Sequence, residues 1–422
     1  MCRLSAGPRS VLVLDREALL APEEIDHGPI VPRVLIVEPA GNLGGSERAL
    51  LDLVEHLRDC EIAVCCPPKR PLVLELRKRS IRLFPRFICA QHERSPWKRL
   101  RAAAGVLRAA LAFRPDVLYL NQSGCYRVAL PVAVLLGLPI VGHVRHFEDA
   151  AYLARSRPSP RRLRGLIAIS SAILYELRAF PELKHIEIHH LYDAYISEAD
   201  PLAQHVPERV PYRVACVGRI VPKKGQDALV EAVGCLKRDG EHMECWVLGD
   251  GAHEFVERLK RRAADAGVAS RFASLGTRDD IVAHLRTCKA LACPSHREAL
   301  GRVIFEAWNA GTVPIAYRGS GGAAEIIAAA DAGIAYDAQN PQALADAVAT
   351  ALHLGRDEVT RMIGNGRAWM AANCEPRRYG AALAAILREA CAATTPRDAG
   401  IAGTTKTPRD AGVAGTPSGR SM

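Results

Sequence analysis

Residues 214–225 read Val214-Ala215-Cys216-Val217-Gly218-Arg219-Ile220-Val221-Pro222-Lys223-Lys224-Gly225, and a stretch with helical spacing follows over 226–238. A short apolar run, a glycine, a basic turn and a helix make one strand-turn-helix step. The same step stands near the head of the chain. There the apolar run Arg33-Val34-Leu35-Ile36-Val37 leads to Gly41-Asn42-Leu43-Gly44-Gly45-Ser46-Glu47, and Leu50, Leu51, Val54 and Leu57 recur at helical intervals. Apolar runs that do not alternate with polar residues suit strands covered on both faces, as in parallel sheets.

Working outward from these two steps, further strands are expected at Ile62-Val64, Val117-Leu120, Ile140-Val144 and Leu166-Ile169 in the first half. In the second half they are expected at Cys245-Leu248, Phe272-Leu275, Ala290-Cys293 and Val313-Ala316, which closes the series. Helical segments lie between them, including 253–266 and Val303-Ala310. Strands alternating with helices point to an α/β fold built as two doubly wound, Rossmann-like domains facing a cleft. The expected division is a poorly structured preamble over 1–31, an N-terminal domain over 32–200 and a C-terminal domain over 211–375, then a helix over 376–392. The proline-bearing stretch 197–211 reads as the linker. Residues 393–422 carry the near-repeat Thr395-Pro396-Arg397-Asp398-Ala399-Gly400 and Thr407-Pro408-Arg409-Asp410-Ala411-Gly412. Such small and polar residues bury no core, and the tail is expected to be disordered.

Hydrophobic residues make up 49% of the 422, enough for two real cores. The 13 cysteines form no CxxC pair and no Cys/His framework, so no zinc site is expected, and the pattern fits a reducing cytoplasm. The formal charge of +10 favours anionic partners. Two basic clusters stand out, Arg94/Lys98/Arg99/Arg101 and Arg155/Arg157/Arg161/Arg162/Arg164, although solvated faces are the plainer reading of either one. Aromatic residues are 5% and do not interleave with these arginines, which disfavours stacking on nucleic acid. The apolar stretch Val128–Val141 is broken by Pro131, Gly137 and Pro139, too short for a membrane span and better read as a helix ended by Gly137 before a buried strand.

Four loops carry candidate chemistry. The first, Gly218 to Gly225, offers close backbone approach together with the cations Arg219 and Lys224 for phosphate oxygens; an exposed basic turn is its plainer reading. Without a trailing GK[ST] it does not suggest ATP hydrolysis. The second, Pro294-Ser295-His296-Arg297-Glu298-Ala299-Leu300-Gly301, leads from a strand into the helix that carries Glu306. Helix amino ends bind anions, which puts Leu300 and Gly301 beside a phosphate, and the Glu298 carboxylate can accept from ligand hydroxyls. For Glu306 the plainer role is a helix glutamate paired with an arginine. In the third loop Gly44-Gly45 opens a helix, as an anion-binding turn or a simple connection. At the fourth, His143, Arg145 and His146 stand at the end of a strand facing the cleft, where a lone histidine is more often structural.

Together these residues resemble glycosyltransferase family 4, the enzymes of GT-B fold. The likeness is greatest from Tyr212 to Val348: Val217-Gly218-Arg219…Lys224-Gly225, Leu248-Gly249-Asp250-Gly251, Pro294-Ser295…Glu298…Gly301…Glu306-Ala307 and Gly321-Gly322…Glu325-Ile326-Ile327. Seven residues separate Glu298 from Glu306, as in the family's paired glutamates. In the first half Gly44-Gly45-Ser46-Glu47 is similar to the family's GG-x-E turn, and His143 or His146 to its cleft histidine. The resemblance implies that Arg219 and Lys224 hold the donor diphosphate, Glu298 the transferred sugar and Glu306 the ribose. It also implies backbone contacts from Gly44, Gly45, Gly218, Gly249, Leu300 and Gly301, and a retaining reaction without metal or cofactor. The implied partners are a nucleotide-sugar donor and a glycan or lipid-linked acceptor. The location would be cytoplasmic with an anionic membrane surface in reach, and nucleic acid is not a partner. His189-His190-Leu191-Tyr192-Asp193-Ala194 stands where the family often has Asn-Gly. Competing readings are a silent nucleotide-binding module, a nucleotide-sugar epimerase, a phosphorylase (for which no pyridoxal lysine stands out) and an oxidoreductase, which the lack of GxGxxG disfavours.

Overall fold

The computed structural model describes residues 31–196, 212–238 and 243–392. The preamble, the linker stretch 197–211 and the repeat tail lie outside the described residues.

Two parallel sheets organise the chain. The first holds β1 (Arg33–Val37), β2 (Glu61–Cys66), β3 (Arg82–Pro85), β4 (Val117–Leu120), β5 (Ile140–Val144), β6 (Leu163–Ala168) and β7 (Glu187–His190), in the order β3-β2-β1-β4-β5-β6-β7. The second holds β8 (Arg213–Val217), β9 (Glu244–Leu248), β10 (Phe272–Gly276), β11 (Ala290–Cys293), β12 (Val313–Tyr317) and β13 (Ile334–Tyr336), in the order β10-β9-β8-β11-β12-β13. The chain order reverses beside β1 in one sheet and beside β8 in the other. Loops leaving β1, β4, β8 and β11 therefore diverge at a switch point, where open α/β sheets take ligands.

The helices of the first domain are α1 (Gly45–Val54), α2 (Arg70–Lys78), α3 (Pro96–Phe113), α4 (Tyr126–Leu136), α5 (Phe147–Ser156) and α6 (Ser171–Arg178). Those that follow are α7 (Gln226–Arg238), α8 (His253–Asp265), α9 (Ile281–Arg286), α10 (Arg302–Ala310), α11 (Gly322–Ala330), α12 (Pro341–His353), α13 (Arg356–Asn373) and α14 (Pro376–Ala392). Glycine at 137, in the left-handed region, ends α4.

Three strands escape the sequence reading, and the series does not close at Val313-Ala316. The extra strands β3, β7 and β13 all lie at sheet edges. Each is only partly buried, so none shows the continuous apolar run of a central strand such as β4 or β11.

The last helix returns to the first domain. Along α14, Tyr379, Leu383, Leu387 and Ala390 are buried against Leu50, Leu53 and Val117 of the N-terminal core. Gly380 is required there, because a Cβ would come 2.4 Å from the His56 carbonyl oxygen. Two segments thus cross between domains, and they bond where they meet, with Tyr195 N–H donating to the Cys374 carbonyl at 3.0 Å. Edge-on aromatic contacts surround the crossing: Tyr192 with Trp369 at 4.9 Å and Tyr195 with Phe305 at 5.6 Å between centroids. None of the twelve described cysteines forms a disulfide, and all but the half-buried Cys391 are buried. Among the described residues no helix is long and apolar enough to cross a membrane.

Candidate active site

On the C-terminal wall the loop after β8 is shaped by its glycines. The loop after β9 presses so closely that a Cβ on Gly249 (φ +143°) would sit 2.0 Å from the Gly218 carbonyl oxygen. The short turn Pro222–Lys224 ends at Gly225 (φ +71°), where a Cβ would meet the Pro294 carbonyl at 2.3 Å. These contacts draw the Gly218–Gly225 loop against the loop leaving β11, and cations meet a carboxylate. Lys224 Nζ lies 2.5 Å from Glu298 Oε2, and Ser295 Oγ donates to the same oxygen at 3.0 Å. Burial opposes the lysine's charge, but the adjacent Glu298 outweighs it and holds Lys224 above the usual lysine range. Arg219 is exposed, with its carbonyl taken by Gln226 Nε2 at 2.8 Å.

At the start of α10, Gly301 (φ +84°) forms the cap, and Ala323 Cβ would stand 2.9 Å from any Cβ there. The first amides of this helix have no partner within it and carry the positive end of its dipole. The Leu300 side chain belongs to the core at 3% exposure, so only its backbone is available to a ligand. Glu306 is half-buried one turn beyond Arg302.

The opposite wall supplies Gly44 and Gly45. Glu47 reaches back to the Gly44 N–H at 2.8 Å, and Gln122 Nε2 spans Glu38 Oε1 (2.7 Å), Ser46 Oγ (3.2 Å) and Glu47 Oε1 (3.3 Å). A Cβ on Gly45 would lie 3.6 Å from Arg302 Cδ, so this turn faces the start of α10. Glu38 is fully buried; burial, reinforced by Glu47, pushes its carboxyl up to about 8.

The two histidines part company. His143 is fully buried and faces α14 and the crossing segment rather than the cleft, which corrects its reading as a catalytic candidate. Its Nδ1 lies 2.7 Å from Tyr119 Oη, 3.3 Å from Arg145 Nη2 and 3.5 Å from Tyr379 Oη. Since Arg145 can only donate, Nδ1 accepts, and the ring proton sits on Nε2, 3.9 Å from Asp193 Oδ1. Burial and the Arg145 charge keep the imidazole neutral. Arg145 itself chelates Asp193 at 2.5 and 2.6 Å and donates to the Asn121 carbonyl at 2.8 Å. His146, by contrast, is half-buried at the amino end of α5. Burial, with Lys223 next, lowers it to about 4, and Arg219 is close enough to contribute. Lys223 Nζ spans the cleft to Glu148 at 3.6 Å. The structure therefore gathers Arg219, Lys224, Glu298, His146, Gly45 and Gly301 at one cleft. Asp193, Asn121, Tyr119, Tyr379 and Glu38 escaped the sequence reading, since their partners lie far away along the chain.

Two doubly wound domains with cationic and glycine-rich loops at facing switch points define the GT-B class of α/β protein. Residues 44–180 match the family described as "Glycosyl transferase 4-like domain", and residues 203–369 match "Glycosyl transferases group 1". The chain belongs to the glycosyltransferases of family 4. A relative in Mycobacterium tuberculosis, named GDP-mannose-dependent alpha-(1-6)-phosphatidylinositol monomannoside mannosyltransferase, is 34% identical over 184 residues, which is 42% of this chain and 47% of the relative. The D-inositol 3-phosphate glycosyltransferase of Corynebacterium glutamicum is 35% identical over 155 residues, covering 35% of this chain and 36% of that one. This chain thus spans about half the length, or less, of these curated relatives. Among solved structures, Anabaena Alr3699/HepE in complex with UDP-glucose overlays with a TM-score of 0.72 at 21% identity, over 85% of this chain and 100% of the other. Sucrose-phosphate synthase from Thermosynechococcus elongatus overlays with a TM-score of 0.68 at 16% identity, over 86% and 100%.

Proposed function

We propose that this protein transfers a hexose-type sugar from a nucleoside diphosphate to a hydroxyl of a glycan or lipid-linked acceptor. The observation that carries the reading is the contact of Lys224 with Glu298 at 2.5 Å, with exposed Arg219 on the same loop. A diphosphate would take the cations, freeing the Glu298 carboxylate for sugar hydroxyls. Negative charge grows on the leaving diphosphate in the transition state, and preorganised cations are worth about 2–4 kcal/mol there. Because Arg219 and Lys224 supply that charge, we read the reaction as metal-independent; retention of configuration rests on the family resemblance. Glu306 is assigned the ribose, the backbone at Gly45 and Gly301 the donor's oxygens, and neutral His146 the acceptor side. Gly218 and Gly249, whose amides donate to the Leu248 and Gly276 carbonyls, let the two loops close up. Names of relatives that carry a phosphatidylinositol monomannoside or a D-inositol 3-phosphate support a phosphate-bearing or lipid-bearing acceptor alcohol. The test is release of nucleoside diphosphate from a panel of nucleotide sugars with and without such alcohols. Lys224→Ala and Glu298→Gln are each expected to lower kcat/KM by about 30-fold or more. Wild-type rates in both variants would remove these residues from the site.

We further propose that the acceptor is met at an anionic membrane surface. Trp97 and Leu100 on α3 are 78% and 60% exposed among Arg94, Lys98 and Arg101. Nearby, Arg127 stacks on Tyr152 (5.4 Å), and a hollow of about 580 Å³ is lined by three arginines, Arg127, Arg155 and Arg157, with Phe180 and one acid, Glu182. Each basic residue near such a surface adds about 1 kcal/mol.

A further inference from the structure

Several contacts join the two walls of the cleft, and one is tied by backbone bonds to the donor loop. Glu325, in the first turn of α11, reaches across to the other domain. Its Oε1 accepts from the Ser171 amide at 2.8 Å and from Tyr192 Oη at 2.6 Å, and its Oε2 accepts from the Ala172 amide at 3.0 Å. Ser171 opens α6, so these are amides with no acceptor within their own helix, at the end where a carboxylate is favoured. The Ser170 hydroxyl covers the next one, the Ile173 amide, at 3.2 Å. The amino end of α6 is thus capped jointly, by its own serine and by a glutamate of the other domain.

The turn leading into α11 is bound to Glu298. The Glu298 amide donates to the Ser320 carbonyl at 2.6 Å, and the Gly322 amide donates to the Glu298 carbonyl at 2.8 Å. Between them, Gly321 (φ +96°) touches the N-terminal wall, where a Cβ would come 2.9 Å from Phe147 Cζ and 3.3 Å from Ala172 Cβ. A continuous series of contacts therefore runs from the α6 amides through Glu325 and the Gly321 turn to Glu298 and its partner Lys224. Tyr192 adds the crossing segment to this series, because the hydroxyl that bonds Glu325 belongs to the chain passing between domains.

We propose that Glu325 is a positioning residue that couples the seating of the N-terminal domain to the placement of Glu298, an inference whose catalytic consequence rests on the transfer reading above. Arg302 also spans the cleft, to Asp52 at 2.7 Å and to the Ala194 carbonyl at 2.8 Å. Arg297, beside Glu298, pairs with Glu176 of α6 at 2.8 Å and stacks on Phe147, yet neither arginine bonds the α6 amides or the Gly321 turn. Opening the Glu325 contact releases the α6 amides and loosens the Gly321 turn, and with it the carboxylate meant for the donor sugar.

Amide hydrogen exchange on the full chain without substrate tests this directly. In Glu325→Gln, exchange at Ser171 and Ala172 is expected to rise about ten-fold, and at Glu298 and Gly322 to rise with it. Tyr192→Phe removes one hydroxyl and should show the same pattern more weakly, which keeps the test open if Glu325→Gln folds poorly. In the transfer assay Glu325→Gln is expected to lower kcat about ten-fold with the donor KM little changed, as for an interaction realised on the way to the transition state. Faster exchange confined to 171–172, with Glu298 and Gly322 unchanged, would overturn the coupling. So would a loss expressed only in KM. If the wild type binds no nucleoside diphosphate, the transfer reading falls, while the exchange comparison still decides the coupling.

Discussion

The two walls of the cleft use polar residues in opposite ways. On the C-terminal wall, charge is accessible: Arg219 is exposed, and the Lys224–Glu298 pair keeps side-chain exposures of 25% and 14%. On the N-terminal wall a titratable network is sealed: Arg145, Asp193, His143 and Glu38 are all under 5% exposed. Accessible pairs can exchange a partner for a ligand, whereas sealed ones can only hold the backbone in place. The C-terminal wall is the one built to bind, and the N-terminal wall positions its glycine turn and His146 from behind.

This contrast predicts the largest stability loss far from the ligand. Arg145→Ala leaves Asp193 charged and buried, and denaturant titration should show a cost of about 3–5 kcal/mol. Lys224→Ala should cost only about 1–2 kcal/mol, since Ser295 and solvent still reach Glu298. A Lys224 loss as large as that of Arg145 would erase the distinction.

The pH dependence sharpens it next. Glu38, with its carboxyl raised to about 8, keeps its proton in the folded chain where the unfolded chain has lost it. The stability linked to this proton is present below the ordinary glutamate pKa and lost as pH rises toward 8. His146, lowered to about 4, acts with opposite sign, since the unfolded chain takes up its proton first and stability falls as pH drops from about 6.5 toward 4. Glu38→Gln should therefore remove a decline in stability between about pH 4.5 and 8 and leave the profile below pH 4.5 alone. A decline over that range unchanged in this variant would show that Glu38 is not its source. The smallest effect belongs to the outer surface. Trp97→Ser with Arg101→Ser should change stability by less than about 0.5 kcal/mol. It should nonetheless reduce flotation with anionic liposomes, and equal flotation of variant and wild type would remove α3 from the membrane proposal.

The same contrast explains what was legible in the sequence. β4, β5 and β11 could be bounded to the residue because their short, mostly apolar runs end with the strands, although burial continues into Asn121, Arg145 and Ser295. Loop residues Arg219, Lys224, Glu298 and Gly301 stood out because glycines and charges at strand ends are local signals. The sealed network was not legible, since Glu38 meets Asn121 at a separation of 83 residues and His143 meets Tyr379 at 236. Burial alone separates His143 from His146, and no spacing rule expresses it. Edge strands such as β7 were hidden by their half-exposed composition.

The most direct test is thermal stabilisation by UDP, GDP and ADP, for wild type and Lys224→Ala. At a hundred times Kd, binding should add about 2.7 kcal/mol to wild-type stability. Such a shift is expected with at least one nucleotide, and its loss in Lys224→Ala. No shift with any nucleotide, or a shift that survives Lys224→Ala, would contradict the assignment of the C-terminal wall as the diphosphate site.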